Sequence, residues 1–129
     1  MRGPSFRPQR SAVMVLLVVN TVVFVLQSIL QFYAEPIAFG RYAELFALSK
    51  DGIAKGYLWQ LVTFQFMHAG PWHLIGNLLV IYFFGRAMED TLGRNAFLKL
   101  YFSSGTIGGI VQLLFAWSVP KYFDLPVVG

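Results

Sequence analysis

His73 and Asn77 lie one helical turn apart in the run Pro71-Trp72-His73-Leu74-Ile75-Gly76-Asn77, which continues as Leu78-Leu79-Val80-Ile81-Tyr82-Phe83-Phe84. A spacing of four advances a helix by about 400°, so both side chains share one face. Their flanks are apolar enough for hydrocarbon, where a polar side chain is costly and points to a functional site. Imidazole and carboxamide N–H groups can both stabilise a developing oxyanion where water is scarce. The same residue types also act as hydrogen-bonding glue between membrane helices. Residue chemistry alone leaves both roles open. In the first role His73 is a neutral imidazole that donates one N–H.

The other polar residues suggest less chemistry. His68 precedes His73 by five residues across a Gly-Pro break, which is not a helical ligand pair. The chain has no cysteine, and Asp51 and Glu44 are distant in sequence, so neither a metal nor any other cofactor is expected. His68 is read as hydrogen-bonded within a loop or in contact with water. Ser103-Ser104-Gly105, with Gly108 and Gly109, places small residues four apart, which lets helices approach closely. This stretch is read as packing, far from His73. Arg86 is expected to pair with Glu89 or Asp90 at helical spacing. Asn20 and Gln27 are expected to bond between helices.

These residues need membrane elements to position them. Of the 129 residues, 57% are hydrophobic and 12% charged, against about 25% charged in soluble domains. Residues 11–34 carry no charge, and a helix needs about 20 apolar residues to cross a bilayer. That run is too long for the core of a cleaved signal peptide. The expected elements are a basic tail at 1–10, a first span at about 11–34, an outer loop at about 35–70, a second span at about 71–88 and a third at about 97–117. Gly70-Pro71 starts the second span and Gly93 follows its end. The loop reads as short helical pieces lying partly in the interface, with a turn at Lys50-Asp51-Gly52.

The formal charge of +4 is spread over the tail and connections, so it reads as topology and not as a nucleic-acid surface. Arg2, Arg7 and Arg10 before the first span, and Arg86, Arg94 and Lys99 around the second turn, mark the cytoplasmic side. The N-terminus is then inside, and His73 is at the outer, water-reachable end of its span. Arg41, Lys50 and Lys55 in the outer loop weigh against this orientation.

The run from Trp59 through Thr63, His68, Gly70, Pro71, His73 and Asn77 resembles the outer-loop-to-second-helix segment of rhomboid intramembrane serine proteases. Phe84-Gly85, Glu89-Asp90-Thr91-Leu92-Gly93 and the stretch from Gly105 to Gln112 are similar to the family's continuation. The resemblance covers roughly Glu44 to Gly129. It implies an all-α, polytopic transmembrane helix bundle with three of six core helices present. It also implies a serine–histidine dyad, with His73 and Asn77 in the oxyanion hole. Gln60 departs from the family, which often has arginine there. The final Asp124-Leu125-Pro126-Val127-Val128-Gly129 resembles the approach to the family's Gly-x-Ser-Gly element, so the nucleophile and base are expected beyond Gly129.

The function expected is therefore cleavage of membrane-anchored proteins, with the 129 residues inactive alone. A rhomboid-like protein that binds membrane clients without cutting, or a small three-helix assembly subunit, are the alternatives. Expected partners are transmembrane substrates, the lipid bilayer and the remaining C-terminal helices of the fold, with no nucleic acid. The expected location is a bacterial inner (plasma) membrane.

Overall fold

The computed structural model describes residues 10–118. The tail residues before Arg10 and the terminal run Asp124–Gly129 lie outside this range. Helix α1 spans Ala12–Tyr33. Its 22 residues extend about 33 Å, matching a hydrocarbon core of about 30 Å. Pro36 ends it, because a residue before proline avoids the helical region, and Glu35 is extended with ψ 147°. The same proline opens α2, Pro36–Phe46.

Two short helices follow, α3 at Lys50–Ala54 and α4 at Gln60–Thr63, the latter running into a 3₁₀ turn at Phe64–Phe66. The turn expected at Lys50-Asp51-Gly52 is instead α3. Ser49 caps it, its Oγ accepting the Gly52 N–H at 3.0 Å, and an N-cap of this kind offsets the helix-breaking tendency of one glycine. The chain reverses further on, at Gly56, where φ is +88°.

A second rod begins at α5, Pro71–Val80, widens into a π turn at Ile81–Gly85, and continues as α6, Arg86–Leu92. Gly93, with φ +85°, is the single residue between α6 and α7. This left-handed conformation suits glycine. Helix α7 spans Arg94–Ser118. Helices α1 and α7 are each long and apolar enough to cross a membrane. They leave Val18, Val22, Leu26, Ile107, Leu114 and Phe115 exposed, as lipid-facing surfaces do.

Two apolar clusters hold the rods together. Ala12, Val13, Leu16, Ile81 and Phe97 join α1, the π turn and α7. Gly85 eases that approach, since a Cβ there would stand 3.1 Å from the Phe97 ring, a tight contact. Leu48, Phe64 and Leu113 join the loop to α7. Gln60 organises the loop itself. Fully buried, it accepts the Ser49 N–H at 3.2 Å and donates to the Glu44 carbonyl at 2.8 Å. The residue that departs from the family pattern thus supplies both a donor and an acceptor. Trp59 and Thr63 add donors to the Leu45 and Phe46 carbonyls, each at 2.7 Å.

Glu89 does not pair with Arg86, contrary to the helical spacing. Its carboxylate accepts from the Ser11 hydroxyl at 2.7 Å, the Ala12 N–H at 2.6 Å and the Val13 N–H at 3.1 Å. The first amides of a helix have no internal partner and carry partial positive charge. Ser11 does not cap them with its own side chain, so a carboxylate from α6 does. Arg86 bonds the Tyr82 hydroxyl at 3.3 Å and lies over its ring.

Desolvation alone would raise the Glu89 pKa. The Ser11, Ala12 and Val13 hydrogen bonds outweigh it, and the net direction is down. A carboxyl lowered on folding stabilises the fold above its unfolded pKa, and the effect is lost as pH falls through the folded value. Glu89→Gln is expected to cost about 1–2 kcal/mol at neutral pH. Thermal unfolding in detergent checks this: the gap to wild type should close as pH is lowered below the carboxylate range, and a gap independent of pH would contradict it.

Candidate active site

Helix α5 begins at Pro71 in its first turn, which needs no N–H from that residue. His73 therefore sits near the helix N-terminus, with Asn77 one turn on. Both line a cavity of about 430 Å³. Ile81 also lines it, as do Tyr101, Ser104 and Gly108 of α7. Ser104 was expected far from His73, yet it borders the same cavity. Its hydroxyl is committed to the Leu100 carbonyl at 2.6 Å, as serine commonly is within a helix.

His73 and Asn77 are partly buried, whereas His68 beside them is fully buried. The His68 ring faces two groups. Nδ1 is 3.1 Å from the Phe66 carbonyl and Nε2 is 2.9 Å from Asn77 Nδ2. A carbonyl only accepts, so Nδ1 carries the proton, and the neutral ring presents an Nε2 lone pair to the Asn77 N–H. Burial is the main reason that the His68 pKa is lowered; a charged His73 would lower it further, and the Phe66 carbonyl opposes both. The two imidazole rings meet edge to face at 5.2 Å. His73 Nδ1 accepts a long hydrogen bond, 3.4 Å, from the Ala69 N–H. That assigns the His73 proton to Nε2 in the neutral ring.

Gln27 completes the arrangement from α1. Its Nε2 donates to the His68 carbonyl at 2.7 Å and its Oε1 faces the His68 N–H at 3.4 Å. Gln27 was expected to bond to another helix; it instead clamps the backbone of the loop residue that touches Asn77. Asn20 was expected to bond likewise; its amide donates within α1 to the Leu16 carbonyl at 2.7 Å, and its side chain also bonds the Tyr101 hydroxyl of α7. Residue types indicated that these amides needed partners. The His68–Asn77 bond had no such signal, because it crosses a loop that breaks helical periodicity. Among the described residues no three His, Asp or Glu side chains converge as a metal site requires.

The small residues of α7 set how closely the loop approaches the cavity. A Cβ on Gly105 would overlap the Gln65 amide, and one on Gly109 would lie 2.9 Å from the Phe64 ring. Gly108 meets nothing within 4 Å. The packing role therefore falls on Gly105 and Gly109.

A rhomboid domain family model matches residues 55–129, more than half of the chain. The chain belongs to the rhomboid family. It is 44% identical over 59 residues to the putative rhomboid protease YdcA of Bacillus subtilis (strain 168), covering 46% of this chain and 30% of that protein. It is 36% identical over 64 residues to the rhomboid protease GluP of the same strain, covering 50% of this chain and 13% of that one. It is also 33% identical over 64 residues to the inactive RHOMBOID-like protein 8 of Arabidopsis thaliana, covering 50% of this chain and 18% of that protein. The matched stretch thus spans less than a third of each relative. The family is embedded in membranes, and other relatives are named for mitochondria and chloroplasts.

Gly109→Ala is expected to destabilise the chain by about 1–3 kcal/mol through overpacking against Phe64. Gly108→Ala is expected to be neutral or to stabilise by up to about 1 kcal/mol through helix propensity. Denaturant or thermal unfolding of the two variants checks the contrast.

Proposed function

We propose that this chain contributes to an intramembrane serine endopeptidase that cuts membrane-anchored proteins, with His73 and Asn77 as its side-chain oxyanion donors. The observation that carries this reading is the pair itself: two N–H donors from one helix face border one cavity beneath a loop of a rhomboid-family chain. Attack of a serine hydroxyl on a peptide carbonyl places negative charge on the carbonyl oxygen. His73 Nε2–H and an Asn77 N–H would meet that charge in a site with little water, where fixed dipoles act most strongly. Collapse of the tetrahedral intermediate releases the amine and leaves an acyl-enzyme, which water then hydrolyses. The serine and its base belong to sequence outside the described residues. The charge pattern supports an N-terminus on the cytoplasmic side and a cavity that opens outward.

A second reading is a rhomboid-like binder that holds membrane clients without cutting them. One relative, at 33% identity, is named inactive. The distinguishing experiment uses the full-length protein in liposomes with a membrane-anchored reporter. Cleavage that falls about 10²-fold in His73→Ala and in Asn77→Ala is the expected result. Reporter retained intact supports the binder. Wild-type turnover in the His73→Ala, Asn77→Ala double variant overturns the donor assignment.

A further inference from the structure

We infer that His68 is a positioning residue for Asn77: its neutral Nε2 accepts one Asn77 N–H and thereby fixes which way the Asn77 amide faces the cavity. The inference rests on the oxyanion reading above and adds a titratable control to it.

Each link is forced by the chemistry of its partner. The Gln27 amide has one orientation, because the His68 carbonyl can only accept and its N–H can only donate. That clamp holds the His68 backbone against α1. Phe24 meets the imidazole with its ring at 6.4 Å and 81°. The Phe66 carbonyl then selects the Nδ1–H tautomer. With Nε2 left as a lone pair, the Asn77 amide turns its Nδ2 towards it, at 2.9 Å. A carboxamide has two opposite orientations of nearly equal shape. Hydrogen-bond partners decide between them, and His68 Nε2 is one that accepts.

Protonation of His68 removes this decision. Nε2 becomes a donor and repels the Asn77 N–H, and the amide satisfies it by rotating half a turn to present Oδ1. The group that Asn77 shows to the cavity changes with it. The groups around the ring are Phe24 and Gln27 from α1, the Phe66 carbonyl from the loop, and His73 and Asn77 from α5. His73 is the titratable member of that set, and its positive form acts against charge on His68. Burial acts the same way, so the neutral arrangement holds at neutral pH and fails on the acid side.

The experiment uses full-length protein in bilayers and two readouts. In the first, kcat for a membrane-anchored reporter is followed from about pH 4 to 9 for wild type, His68→Gln and His68→Ala. Glutamine places a non-titrating amide near the Nε2 position. It is expected to keep kcat within about threefold of wild type at neutral pH while moving the acid limb. His68→Ala is expected to lower kcat about 10- to 100-fold with little change in KM. An acid limb in His68→Gln identical to wild type overturns the inference, as does wild-type kcat in His68→Ala. In the second readout, nitrogen-15 spectra of the histidine rings and asparagine side chains are recorded during acidification. Asn77 side-chain signals that shift together with His68 protonation support the inference, and signals that ignore it overturn it. The spectra do not require cleavage, so an inactive protein would sink the protease reading while the His68–Asn77 coupling is still decided. If His68→Ala fails to fold, His68→Gln and the spectra remain decisive.

Discussion

A polar group without water must find its partner inside the protein. Asn20, Gln27, Gln60, Gln65 and His68 are all buried, and they use that need to join separate segments. Gln60 ties α4 to the end of α2 and the start of α3. Gln65 bonds back to the Leu61 carbonyl and out to Thr106 of α7. Gln27 ties α1 to the loop, and His68 ties the loop to α5. Apolar contact between helices gains little in lipid, because lipid tails are as apolar as leucine. Directional bonds of this kind, with close packing at glycine, therefore set the loop's position over the cavity.

Much of this was legible in the residues. An uncharged stretch ending at Glu35-Pro36 marks α1, and the helix stops there because proline excludes a helical residue before it. His73 and Asn77 announce a shared face by spacing alone, and both reach the cavity. Three features were not legible. Arg86 and Glu89 have the spacing of an ion pair, but the unpaired amides of α1 are the better partner for the carboxylate. Local periodicity does not report a contact made across 77 residues of sequence. Lys50-Asp51-Gly52 has turn composition, and Ser49 makes a helix of it. His68 touches Asn77 only because the loop folds back, and no short-range pattern records that fold.

The rod formed by α5, the π turn and α6 links the site to the rest of the bundle. His73, Asn77, Ile81, Gly85 and Glu89 recur at intervals of four. In a regular α-helix such a row drifts by about 40° per step, or about 160° from His73 to Glu89. From Ile81 to Glu89 the drift is two of these steps, about 80°, which would carry Glu89 off the face by which Ile81 contacts α1. The wider turn at Ile81–Gly85 rotates less per residue than an α-helix and offsets part of the drift. Ile81 and Gly85 can then pack against α1 and Phe97 while Glu89 still reaches the start of α1. At the other end the same row delivers His73 and Asn77 to the cavity wall. The π turn thus reconciles a carboxylate anchor at one end of the rod with two N–H donors at the other. Regular α-helical geometry there would leave that drift uncorrected and carry Glu89 away from the first amides of α1, even with every residue in the row unchanged.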